Sequence, residues 1–277
     1  NLLSCDDEFE YAGTNPCAEE PLPAGGSCLL GSINLAEFAC DTGFDFESFK
    51  HCVKSSVIAL NEVLDEGLPL HPLKEQRESV YDLRQIGLGI FGLADLLIKL
   101  GIKYGSPEAI DLCDMIGHTM ADMAIKTSAV LAKEYGVYPK YKPEVEQSAF
   151  YSKNALGKTK ELVESFGLRN SQLLTIAPTG SLSTMLGVSG GIEPIFANYY
   201  TRKTESLKGH DEYYKVYTPI VKEYMDKHGL KDDSELPDYF VTAQTLDYKN
   251  RIYMQSIWQA HIDASISSTV NVPDNFT

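Results

Sequence analysis

SQLLTIAPTGSLSTMLGVSGGIEP (171–194) is the stretch that decides the fold class. Its first seven residues, SQLLTIA, form an apolar run of strand length and read as a buried strand. The run meets Pro178-Thr179-Gly180-Ser181, and a stretch rich in Gly and Ser continues to Pro194. A strand that enters such a loop and leaves into a helix is a βα unit, and it places several backbone N–H groups around an anion. Ser183 and Thr184 follow in the same loop. No Gly-Lys-Ser/Thr is present, so this is not a Walker A loop. An ordinary capped βα turn accounts for the same residues equally well.

Upstream the periodicity is helical. Asp45 caps FESFKHCVKSSVIALNEVLDEG, with apolar Phe49, Val53, Val57, Leu60 and Leu64, and Gly67 and Pro69 close it. A second helical pattern runs from Ser79 to Leu100 and stops at Gly101. The longest starts at Ser106-Pro107-Glu108, where Ser caps and Pro takes the first helical position, and ends at Gly136. A short amphipathic helix covers 153–166. Downstream, 211–229 and 248–262 read as helices. SISSTVNV carries β-branched residues at strand spacing and ends at Pro273. Residues 1–43 are loop-rich, 44–170 mainly helical, and 171–277 carry loop, helices and a closing strand. That order predicts an α/β barrel or open sheet. No internal repeat, low-complexity tract or dividing linker interrupts it.

The 277 residues suffice for a sizeable core, and 43% hydrophobic with 23% charged residues excludes disorder and coiled coil. The formal charge of −15 repels a phosphate backbone, which excludes a general nucleic-acid partner. It leaves room for one small anion held by backbone amides. No apolar run reaches the roughly 18–20 residues of a membrane span. The opening NLLSCDDEFEYAGTNP has no signal-peptide pattern and no initiator Met, so it reads as a cut start. Six sparse cysteines, with no zinc-type spacing, predict a reducing cytoplasm and no metal site.

The densest chemical cluster is Asn15-Pro16-Cys17-Ala18-Glu19. In an extended segment, alternate side chains share a face, so amide, thiol and carboxylate would point at one ligand. A neighbouring carboxylate raises a thiol pKa and disfavours a thiolate nucleophile. The trio fits a neutral thiol working by hydrogen-atom transfer, with the carboxylate as base on a substrate hydroxyl. The competing account is a buried cysteine in a Pro-rich turn beside an exposed Glu. Cys28, in SCLLGSINL, is either a small buried residue or a redox thiol.

Gly87-Leu88-Gly89-Ile90-Phe91-Gly92 matches G-x-G-x-x-G, but a dinucleotide loop needs a strand just before it. The flanks read as helix, so these are small residues that let a helix pack closely. His51, His71, His118, His210, His228 and His261 form no ligand pattern.

TNPCAEEPLP, SCLLGSINL, RQIGLGIFGLADLL, IAPTGSLSTMLGVSGGIEPIFA and DASISSTVNVP occur in that order. Together they resemble the large catalytic subunit of ribonucleotide reductase, from about residue 11 to the end. The resemblance implies part of a ten-stranded α/β barrel with a radical-cysteine loop in 1–43. It implies that Cys17 carries a thiyl radical and abstracts the ribose 3′ hydrogen. Glu19 would take the 3′-hydroxyl proton, and Asn15 would orient the sugar. Cys28 would be half of the reducing dithiol. Thr179, Gly180, Ser181 and Ser183 would hold the substrate phosphates. The ending ASISSTVNVP resembles the adenosylcobalamin-dependent class; the alternative is a radical supplied by a separate metal-containing small subunit. Ala18 stands where a Gly is more usual.

The resemblance further implies a ribonucleotide substrate, a nucleotide effector, a thioredoxin- or glutaredoxin-type reductant and a homodimer. The half-barrel before the radical loop and the thiol partner of Cys28 are expected outside this chain, which alone would not turn over. The competing class of function is a nucleotide- or anion-binding module with structural cysteines.

Overall fold

A computed structural model describes residues 1–205 and 211–272, so His210 and Pro273 lie outside the described residues. The chain opens with a small antiparallel hairpin, β1 (Gly13–Thr14) against β2 (Pro21–Leu22), whose tip is the 15–20 segment. β3 (Leu30–Asn34) follows, then the short ribbon of β4 (Ala39–Cys40) and β5 (Gly43–Phe44). α1 (Phe46–Gly67) begins as expected, with the Asp45 side chain accepting from the Ser48 N–H.

The expected helix from Ser79 to Leu100 is three elements instead. α2 (Lys74–Leu83) ends at Arg84 in the left-handed conformation (φ 47). β6 (Gly87–Phe91) is a strand buried along its whole length. α3 (Leu93–Lys99) starts after Gly92, also left-handed (φ 72). A strand covered on both faces shows no alternation, so its apolar run merged with the helical pattern on either side. The two glycines lie two apart on one face of β6, where the backbone of its neighbour comes close. A Cβ at Gly89 would strike the Thr175 carbonyl oxygen, and one at Gly87 would strike Glu20 Oε1. G-x-G is therefore a packing notch within a strand, not a turn around a phosphate.

α4 (Pro107–Tyr135) matches its expected bounds, capped by Ser106 through the Ala109 N–H. The expected helix over 153–166 divides into α5 (Ala149–Asn154) and α6 (Gly157–Phe166). α7 (Gly180–Leu186) follows the Thr179 turn. The expected helix over 211–229 is half strand: β7 (Tyr199–Glu205) and β8 (Asp211–Tyr217) pair antiparallel, and only α8 (Pro219–His228) is helical. α9 (Tyr248–Gln259) closes the helical set.

The organising layer is a parallel sheet in chain order. β3 pairs with β6 from Leu30↔Gly87 to Asn34↔Phe91. β6 meets 172–176 at Leu88↔Leu174, and that segment meets 264–267 at Ile176↔Ile266. All three pairings are parallel. Long connections carrying α1, α4 and α9 separate successive strands, as parallel pairing requires. The core unites Phe49, Val53 and Val57 of α1, Ile116, Met120 and Ile125 of α4, and Leu88, Ile90, Leu174 and Ile176 of the sheet. The expected strand at SISSTVNV is this fourth segment, and it bridges only at Ile266.

Candidate active site

The 15–20 hairpin tip is a tight turn, not the extended segment read from the sequence. The Ala18 N–H donates to the Asn15 carbonyl (3.0 Å), the Asn15 N–H to the Glu20 carbonyl (3.1 Å), and the Glu20 N–H to Asn15 Oδ1 (3.0 Å). Ala18 turns the chain with φ 63, a conformation that glycine adopts more readily. The alternation expected of an extended segment is thus absent from the tip. Cys17 is exposed at the tip, Asn15 is half-buried and Glu19 is buried.

The sheet clamps the tip through its backbone. The Glu19 carbonyl accepts from Thr175 Oγ1 (2.6 Å) and from the Ser265 N–H (3.0 Å). Both donors belong to neighbouring strands, so the hairpin rests across 172–176 and 264–267. The side chain of Glu19 is left over, and its Oε2 is buried without a hydrogen-bond partner among the described residues.

Glu20 was not foreseen from the sequence. Its carboxyl is buried beside Gly87, and Oε2 accepts from Gln172 Nε2 (2.6 Å). Gln172 Oε1 in turn accepts from Gln85 Nε2 (3.4 Å). Burial pushes the Glu20 carboxyl up to about 8, helped by the charges of Asp263 and Glu19 and opposed by the Gln172 hydrogen bond. Asp263, also missed, accepts from the N–H groups of Leu173 (2.9 Å) and Leu174 (2.6 Å). Burial raises its carboxyl too, against those two hydrogen bonds. The doubled Glu in CAEE and the Asp that opens DASISS were the only sequence signals for either.

An acid whose folded pKa exceeds its unfolded value holds a proton in the folded chain between the two values. Glu20 therefore costs stability as pH rises from 4.5, its ordinary value, to about 8, and the loss is complete above that. Glu20→Gln is expected to narrow the difference in urea midpoint between pH 5 and pH 8. The slope contributed by Asp263 remains. An unchanged difference would count against the assigned direction.

Cys28 is exposed and lies two residues before β3. Partial burial, then the charges of Glu20 and Glu19, raise its thiol. Cys28 thus feels the charge of both hairpin carboxylates.

The third cluster leaves the sheet just after Thr175. Thr179 is left-handed (φ 51) and precedes α7. Its Oγ1 donates to the Pro178 carbonyl (2.8 Å) and accepts from the Gly191 N–H (3.0 Å), which folds the Gly190-Gly191 turn back over the loop. Gly180 and Ser181 are exposed, Thr179 is half-buried, and Ser183 is buried with Oγ donating to the Gly180 carbonyl (3.2 Å). The first turn of a helix leaves N–H groups without intrahelical partners. Among the described residues no group of three His, Cys, Asp or Glu is arranged to hold a metal ion, and no helix is long and apolar enough to cross a membrane.

Fold and site together define an α/β barrel segment with a thiol-bearing loop clamped across its strands. The family described as ribonucleotide reductase, barrel domain, matches residues 8–277, and the chain belongs to it. It is 32% identical over 284 residues to a vitamin B12-dependent ribonucleoside-diphosphate reductase of Thermoplasma acidophilum, covering 97% of this chain and 35% of that protein. A protein of the same description from Mycobacterium tuberculosis is 31% identical over 280 residues, covering 95% of this chain and 38% of its own length. The chain thus spans little more than a third of the length of these two relatives. Among solved structures, the Actinobacillus ureae class Id ribonucleotide reductase alpha subunit superposes with a TM-score of 0.70 at 22% identity, over 95% of this chain and 48% of that one. That likeness is one of fold.

Proposed function

We propose that this chain is the catalytic barrel portion of an enzyme that reduces ribonucleoside diphosphates to deoxyribonucleotides by a thiyl-radical route. The observation that carries the reading is the hairpin tip, where an exposed Cys17 thiol stands two residues before a buried Glu19 whose Oε2 has no partner.

In this reading the Cys17 thiyl takes the hydrogen atom from ribose C3′. Glu19 Oε2 accepts the 3′-hydroxyl proton, a general-base role for a carboxylate kept from water. Asn15 has Oδ1 engaged by the Glu20 N–H, so its Nδ2 donates to the sugar hydroxyls. The 2′-hydroxyl leaves as water. Cys28 and a second thiol supply two electrons and two protons, and end as a disulfide. Thr179, Gly180 and Ser181 receive the substrate phosphates on the turn into α7, and Ser183 holds that turn through the Gly180 carbonyl. Backbone amides supply the positive potential that a chain of charge −15 lacks elsewhere.

The names of the curated relatives favour adenosylcobalamin as the radical source. When bound, it supplies the radical chemistry that removes the hydrogen atom of Cys17. The exposed Cys17 thiol, with no hydrogen-bond partner among the described residues, fits that encounter and is the residue that would face the cofactor. The proposal extends to a nucleotide effector, a dithiol reductant of thioredoxin or glutaredoxin type, a homodimer and a cytoplasmic setting. It takes 1–43 as radical loop, 44–170 as the mainly helical part that also carries β6, and 171–277 as phosphate loop, helices and closing strand.

The test is a single-turnover rate with ribonucleoside diphosphate deuterated at C3′, in the enzyme that carries this barrel. A primary isotope effect is expected. Equal rates for the two isotopes in a chemistry-limited turnover would overturn hydrogen abstraction at that carbon.

A further inference from the structure

The turn over Thr179 is braced from behind by an ion pair that the proposed site does not use. Arg251, in α9, is buried and grips the Glu193 carboxylate with two nitrogens. Its Nη2 donates to Oε1 (2.7 Å) and its Nε to Oε2 (3.2 Å). Glu193 Oε1 accepts a further bond from the Thr269 N–H (2.9 Å). The Glu193 N–H in turn donates to the Gly190 carbonyl (2.9 Å), and Gly191 donates its N–H to Thr179 Oγ1 (3.0 Å). One carboxylate thus joins α9, the segment around Thr269 and the turn over Thr179. Space filling does not account for the pair. Arg251 Nη1 is buried without a hydrogen-bond partner among the described residues, a cost that an apolar pair of similar volume would not carry. What a two-point guanidinium–carboxylate contact adds is a fixed geometry.

The segment from Ser265 to Thr269 gives that geometry a use. Its N–H groups at alternate residues reach three parts of the fold. Ser265 donates to the Glu19 carbonyl (3.0 Å), Ser267 to the Ile176 carbonyl (2.9 Å), and Thr269 to Glu193. Glu19 and Glu193 are therefore held by the same short run of backbone, on donors four residues apart, a span of at most about 14 Å. A nucleoside diphosphate must offer its sugar to the hairpin and its phosphates to the Thr179 turn at the same time. We propose that Glu193, locked by Arg251, is a positioning residue that registers the phosphate-binding turn against the backbone segment clamping the Cys17 hairpin. The assignment rests on the reductase reading for the phosphates at that turn. Glu193 and Arg251 act through Gly190, Gly191 and Thr179, not on the ligand. An effect confined to phosphate-bearing ligands separates this role from general support of the fold.

The experiment compares affinity for a ribonucleoside diphosphate with affinity for the nucleoside lacking both phosphates, in the enzyme that carries this barrel. Ligand-detected NMR reads both, since it reaches weak binders. The variant combines Glu193→Leu with Arg251→Met, which removes both charges together and leaves neither uncompensated. Its diphosphate affinity is expected to fall about tenfold or more, the loss of roughly one hydrogen bond to a charged group, while nucleoside affinity stays within about twofold of the parent. Arg251→Lys keeps a charged contact and is expected to fall in between. Unchanged diphosphate affinity in the folded double variant overturns the proposal. So does an equal fall for both ligands, which marks support of the fold alone. Should the double variant fail to fold, hydrogen exchange in the parent decides. Inorganic pyrophosphate is expected to slow exchange at the Thr269 N–H, and unaltered exchange at saturation overturns the proposal. A parent that binds the diphosphate no more tightly than the nucleoside sinks the phosphate turn itself, so failure of the reductase reading and failure of this one are separately visible.

Discussion

Cys17→Ser, in the enzyme that carries this barrel, is expected to abolish the proposed deoxyribonucleotide formation and to leave ribonucleotide affinity unchanged. A hydroxyl matches the thiol in hydrogen bonding and nearly in size, and the side chain at 17 is exposed. The clamp on the loop runs through the Glu19 carbonyl to Thr175 and Ser265, so the tip keeps its shape. What changes is the strength of the bond to hydrogen. An O–H bond is much stronger than an S–H bond, so the radical is not formed at a serine, and a serine does not return its hydrogen to carbon. A loss of at least about 10⁴-fold corresponds to ~5 kcal/mol of barrier, far above any effect of shape. Affinity is read by calorimetry and product by chromatography. Turnover that survives the substitution would remove Cys17 from the chemistry. Lost affinity together with lost turnover would point instead to a site built around the thiol for binding.

Gly89→Ala is expected to be the most damaging single methyl group in the sheet. The new Cβ would meet the Thr175 carbonyl oxygen and crowd Ile176 Cα at 3.2 Å, and both belong to backbone. A flexible side chain can swing aside, but a paired strand cannot. Overpacking a well-filled interior costs about 1–3 kcal/mol when side chains can adjust, so a clash with backbone is placed at or above ~3 kcal/mol. That corresponds to a fall in Tm of roughly 6–12 °C for a domain of this size. Gly157→Ala is the matched control, since nothing lies within 4 Å of its Cβ position. It is expected to change Tm little or to raise it, because alanine favours helix by ~1 kcal/mol. Equal stability of the two variants would mean that β6 and the 172–176 segment are not in register as described. Displacement of Thr175 also loosens the hydroxyl that clamps Glu19, so turnover is expected to fall with stability.

How much of this was legible in the sequence depended on where the deciding partner lies. α1 and α4 were readable to their caps, because Asp45 and Ser106 bond to N–H groups three residues away. SQLLTIA was readable as a strand because punctuation at Pro178 isolates it. GLGIF was not, since strand character there comes from burial on both faces by segments distant in the chain. DEYYKVY was misread for the opposite reason. Its side chains are mostly exposed, so no buried face imposed an alternating pattern. The motif residues Asn15, Cys17 and Glu19 stood out by type and spacing. Glu20, Gln172 and Asp263 did not, because an acid or amide acquires its role there only when neighbouring strands bury it.

The clamp on the hairpin also carries a consequence in time. Thr175 Oγ1 reaches the Glu19 carbonyl across 156 residues of sequence, and Ser265 lies farther along still. Contacts of such range are slow to form, since the intervening chain must be ordered first. A ribosome has already released the reactive thiol long before it makes the strand that restrains it. The chemistry-bearing tip is therefore made well before the segments that clamp it, and is fixed only after them. During that interval Cys17 is an ordinary cysteine on a loose loop. Order at the tip becomes a readout of completed folding, one that hydrogen exchange at the Ser265 N–H, held by the Glu19 carbonyl, can follow.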